Sequence, residues 1–101
     1  MSKLKSFIVL AAMCCLPFIS YAAGDAAAGK AKSVTCMACH GAKGISNNDI
    51  WPNLAGQKYG YLVKPIKAFR DGDRKDPMMA PMVAPLSDDD IKNLAAFFSG
   101  L

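Results

Sequence analysis

The stretch Cys36-Met37-Ala38-Cys39-His40 decides how the rest of this 101-residue chain is read. Two thiols at this spacing serve three chemistries. A dithiol redox site tops a helix beside a central sheet, but strand-like alternation is nearly absent here and the chain has no room for a four-stranded sheet. A structural zinc site needs four ligands. Once Cys14 and Cys15 leave with the N-terminal segment read below, Cys36, Cys39 and His40, the one histidine, supply three, so the fourth has to be an Asp. The remaining chemistry is covalent attachment of a c-type haem, with both thiols bonded to the vinyl groups and His40 as the proximal iron ligand. The spacing suits it, because two intervening residues place the sulfurs one helical turn apart and the adjacent His then points at the iron.

Upstream, the chain begins as an address. Lys3 and Lys5 make a basic start, Phe7 to Ile19 is an apolar run, and Ser20-Tyr21-Ala22 is a small-residue exit. This is the layout of a secretory signal peptide, with a run too short for a comfortable transmembrane span. Cleavage after Ala22 puts small side chains at the last and third-last positions, so the expected division is a signal peptide over 1–22 and one domain over 23–101. Cys14 and Cys15 lack the small preceding residue that lipid anchoring requires. The expected location is therefore the periplasm, across the inner membrane, with no membrane anchor after cleavage.

Removing that segment changes the arithmetic. The full chain is 52% hydrophobic with a net charge of +4, but the domain keeps ten Lys and Arg against eight Asp, a net +2. Basic residues gather between Lys58 and Lys75, interrupted by Asp71 and Asp73 and without aromatic stacking motifs, so they read as a solvated helix face and not as a nucleic-acid footprint. Only Cys36 and Cys39 remain, too few for a disulfide framework. Ala outnumbers every other apolar type, while Leu, Ile, Val and Phe together number fifteen. That is a thin supply of large side chains, and a buried porphyrin helps to complete such a core.

The remaining chain reads as helices between punctuation. Asp25 caps a first helix over Ala26 to Thr35, in which Gly29 asks for a close helix crossing. Residues 41–56 form a Gly-, Asn- and Pro-bearing loop whose one aromatic side chain is Trp51. A helix over Gln57 to Phe69 presents Leu62, Ile66 and Phe69, with Pro65 imposing a kink or a later start. Pro77, Pro81 and Pro85 punctuate a Met-rich loop. In the last helix Ser87 is the N-cap, Asp90 completes a capping box, and Ile91, Leu94, Ala95 and Phe98 form the buried stripe.

Gly24-Asp25 with Gly29-Lys30, Cys36 to His40, Pro52-Asn53-Leu54-Ala55-Gly56-Gln57, the Met-rich loop and Leu86-Ser87-Asp88 together resemble a class I cytochrome c. The likeness is to the small bacterial periplasmic monohaem kind and to one half of the tandem dihaem cytochromes, and it covers essentially all of 23–101. It implies an all-α fold of three to four helices around one haem c bound through two thioethers. It also implies that the first and last helices cross at Gly29 against Phe97 or Phe98, and that the Pro52 carbonyl accepts the His40 ring N–H. The distal iron ligand is then a methionine. In the resembling cytochromes it lies seven residues before the Leu that precedes the Ser cap, which selects Met79, with Met82 and Met78 as alternatives. Pro65 departs from the family pattern, where a polar residue is usual.

The function implied is electron transfer and not enzymatic turnover. The expected protein is a monomeric periplasmic carrier whose redox partners are a membrane or periplasmic reductase and oxidase, with no nucleic-acid partner. The alternatives are a dedicated haem c subunit of a periplasmic dehydrogenase, and a haem sensor or peroxidase in which no methionine ligates.

Overall fold

The computed structural model describes residues 24–101, so the expected signal peptide lies outside the described residues. The described chain is helical: α1 (Ala26–Lys32), α2 (Val34–His40), α3 (Tyr59–Asp71), α4 (Met79–Val83) and α5 (Asp88–Ser99), with no strand among the described residues. Five helices replace the expected three to four for two local reasons. The expected first helix divides at Ser33. This fully buried residue spends both its amide and its hydroxyl on the Lys30 carbonyl (3.2 and 2.7 Å). Its own carbonyl then accepts from Cys36 and Met37 (2.9 and 3.1 Å), which starts α2. The second reason is α4, a short helix inside the Met-rich segment that sequence punctuation marks as loop.

The two ends of the domain are tied together. The Asp25 side chain accepts from the amides of Ala27 and Ala28 at the start of α1 (2.9 and 3.3 Å), while its own amide donates to Asn93 Oδ1 on α5 (2.8 Å). α1 and α5 cross at Gly29. A Cβ there would overlap the Asn93 carbonyl and lie 2.9 Å from the Phe97 Cβ. The expected crossing is present, set against Phe97 and the α5 backbone. Gly29→Ala is accordingly expected to destabilise the holoprotein by about 1–3 kcal/mol, despite the ~1 kcal/mol that Ala gains in helix propensity. A denaturation midpoint unchanged from wild type would show that the helices have room to separate.

α3 begins at Tyr59, two residues later than expected. Lys58 is extended, and the preceding Gly56 amide is held by the Phe98 carbonyl (3.0 Å). The helix runs through Pro65 and ends where Gly72 takes a left-handed conformation (φ +86°). Proline removes one backbone bond, yet Leu62 is buried against Leu94, Ala95 and Phe98 one turn earlier, so packing on α5 holds the segment helical. α5 matches expectation throughout. Ser87 and Asp90 form the complete capping box, and Ile91, Leu94, Ala95 and Phe98 are all buried. The buried apolar set among the described residues is only these four with Leu62 and Val83, a small core for a domain of this length.

One basic side chain expected on a solvated face does something else. Arg70 holds Asp71 (Nε to Oδ1, 2.8 Å), Asp88 at the start of α5 (2.7 Å) and the Leu86 carbonyl (3.1 Å). It thereby closes residues 72–87 into a loop pinned at both ends, and its guanidinium keeps the Asp71 and Asp88 carboxyls below the usual carboxylate range.

Candidate functional site

Cys36, Cys39 and His40 lie on the last two turns of α2, so the helix itself sets their spacing. The helix must stop immediately after His40. Gly41 allows it, taking φ +89° at a point where a Cβ would overlap the Ile45 carbonyl. The loop that follows is stiffened by short side-chain turns. Ser46 donates its amide to Asn53 Oδ1 (2.7 Å), and the Leu54 and Ala55 amides both reach the Gly44 carbonyl (2.8 and 3.0 Å). Those bonds bracket Pro52 and place its carbonyl 2.7 Å from His40 Nδ1.

A carbonyl can only accept, so Nδ1 is the donor in this bond and Nε2 is the nitrogen left for a metal. His40 is 7% exposed, and its ring is held in one orientation with Nε2 as the nitrogen left to face the cavity. The partner carbonyl fixes the ring orientation that a metal ligand needs. Burial pushes the Cys36 thiol pKa up, which disfavours the free thiolate.

These residues form one wall of a cavity of about 440 Å³. Trp51 and Leu54 contribute from the loop, Pro65, Ile66 and Phe69 from α3, and Leu94 and Phe98 from α5. All three candidate methionines, Met78, Met79 and Met82, also line it. They are not equivalent: Met78 and Met82 are 55% and 52% exposed, whereas Met79 is half-buried. The donor set fits a covalently held porphyrin. Both thiols, an imidazole nitrogen and a thioether share one apolar chamber, and mostly hydrophobic walls with few polar groups suit a large flat ligand. Among the described residues no three His, Cys, Asp or Glu side chains converge as a metal site, so the zinc alternative gains no ligand set.

Sequence reading missed two further residues of this chamber. Arg74 stacks its guanidinium 4.4 Å from the centre of the Phe69 ring, and both side chains line the cavity. Asp76, also on the cavity wall, accepts from the amides of Met78 and Met79, which hold its carboxyl below the usual range. The signal for Asp76 was present as Asp-Pro, a helix-start pair, read only as loop punctuation.

A helical fold that closes an apolar chamber over a Cys-x-x-Cys-His helix defines a c-type haem domain. The chain belongs to the cytochrome c family, whose model, described as "Cytochrome c", matches residues 23–101, and it binds haem c covalently. It is 52% identical over 80 residues to cytochrome c-554(548) of Halomonas halodenitrificans, an alignment that covers 76% of this chain and 96% of that protein. The crystal structure of reduced recombinant cytochrome c4 from Pseudomonas stutzeri superposes with a TM-score of 0.73 at 42% identity, covering 76% of this chain and 45% of that one. A thiosulfate dehydrogenase electron acceptor of Thiomonas intermedia is 38% identical over 76 residues, covering 74% of this chain and 35% of its own length. The chain thus spans nearly all of one relative but less than half of the other two, and its fold is that of a class I cytochrome c matching one half of a c4 chain.

Proposed function

We propose that the protein is a periplasmic electron carrier in which Cys36 and Cys39 form the two thioethers and His40 and Met79 are the axial ligands. The observation that carries this reading is the His40 ring, locked by the Pro52 carbonyl at 2.7 Å, sharing one apolar chamber with a half-buried methionine. Haem bound there supplies a one-electron ferric–ferrous couple. With His40 and Met79 both holding the iron, no position would remain open for a substrate, so the bound group would pass electrons and not transform a ligand. The Met79 thioether favours the ferrous state and raises the potential, while the apolar walls keep water from the iron. Residues 1–22 act as the export signal, delivering the domain to the compartment of its redox partners. No helix among the described residues is long and apolar enough to cross a membrane.

A second reading, a dedicated haem subunit of a periplasmic dehydrogenase, is favoured by the likeness to the thiosulfate dehydrogenase electron acceptor. Mild purification from a periplasmic extract separates the two. A free carrier is expected to elute as a lone small cytochrome, its ferrous spectrum unchanged by carbon monoxide. Co-elution with a larger catalytic chain selects the subunit, and carbon monoxide binding overturns both in favour of a sensor or peroxidase.

A further inference from the structure

Every backbone donor in the first turn leading into α4 is accounted for by one residue. Asp76 Oδ1 accepts from the amides of Met78 (2.8 Å) and Met79 (3.0 Å), and the Asp76 carbonyl accepts from Ala80 (3.0 Å). Pro77 has no amide proton to satisfy. In hydrogen-bonding terms Asp76 is the N-cap and Pro77 the first helical position, the arrangement each residue type favours.

The turn it starts has little else to hold it. α4 proper is five residues long, Met78 makes no side-chain cap bond, and Pro81 removes a further backbone bond within it. A segment this short does not persist through helix propagation alone. Its one buried side chain is Val83, at the far end from Met79. The Met79 backbone is therefore fixed on its near side by Asp76.

We infer that Asp76 is the positioning residue for the iron's methionine: by pinning the Met79 amide it keeps the thioether on the metal and slows its dissociation. The inference rests on the reading of Met79 as distal ligand. Asp76 acts through the Met79 backbone, and its role needs an acceptor oxygen, not a charge.

The test uses ferric holoprotein and imidazole as an exogenous ligand. At saturating imidazole the substitution rate is limited by methionine release. Asp76→Ala is expected to raise that limiting rate about fivefold, the scale of losing one N-cap. Asp76→Asn, which caps as well as Asp, is expected to restore a rate close to wild type. A purely structural cap predicts a lower denaturation midpoint with an unchanged limiting rate, and that result overturns the inference. Asn behaving like Ala overturns it as well, because the charge and not the acceptor would then matter. Met79→Leu measured in parallel keeps the two readings apart. If it retains the sulfur-to-iron band, the ligand reading falls and takes the inference with it. If the band is lost and Asp76→Ala leaves the rate unchanged, the inference falls alone.

Discussion

Replacing both Cys36 and Cys39 by serine is expected to leave almost no folded protein in the cell. The reason lies in how little the side chains bury by themselves. Six apolar residues are buried among the described residues, one of them an alanine, and a core of this size supplies only roughly 3–5 kcal/mol at best. Several large apolar side chains face the cavity instead of one another: Ile66, Phe69 and Trp51 line it, and Ile50, also on its wall, is 74% exposed. A porphyrin seated there removes these surfaces from water on both of its faces, at about 25 cal/mol per Å², and the two thioethers prevent its loss. Without them the native state loses its largest stabilising contact and the equilibrium shifts to the unfolded chain. The measurement is holoprotein and total protein yield, with far-ultraviolet dichroism of whatever accumulates. Folded, haem-free protein at wild-type levels would show that the side chains suffice.

What the sequence disclosed and what it hid follow the range of the interactions concerned. The Asp25 and Ser87 caps and the α5 stripe are each written within a few consecutive residues, and all three appear as expected. Gly29 was legible because a glycine inside a helix is costly enough to require a reason, here the α5 backbone. The family resemblance supplied the Pro52 carbonyl, which sequence spacing alone could not place. Longer-range pairings were invisible. Nothing near Arg70 announces that it will hold the Leu86 carbonyl and Asp88, and a run of basic residues looks the same whether solvated or clamped. Asn93 satisfies an amide 68 positions away. Ser33 and Asp76 failed to register for a different reason. Each makes a local bond that competes with or starts a helix, and such a bond shows in sequence only as a polar residue in an ambiguous place.

Met79→Leu is expected to convert the protein from a closed electron-transfer site to an open ligand-binding one. Two observations favour Met79 over its neighbours. It lies seven residues before Leu86, the register of the resembling cytochromes. It is half-buried where Met78 and Met82 are more than half exposed. Its amide, like that of Met78, is tied to Asp76 (3.0 and 2.8 Å), so its side chain starts from a fixed backbone. Leucine is close to methionine in volume, and such swaps cost less than about 1.5 kcal/mol, so the fold and the two thioethers should survive the change. That makes the spectroscopic outcome a statement about coordination and not about unfolding. The ferric protein should lose its long-wavelength sulfur-to-iron band, the reduction potential should fall because the thioether no longer favours the ferrous state, and the ferrous form should bind carbon monoxide. Met78→Leu and Met82→Leu should change none of the three, since each removes a wall contact and leaves the ligand in place. If Met82→Leu produces the changes and Met79→Leu does not, then register and burial have selected the wrong sulfur, and α4 presents its second methionine to the iron instead of its first.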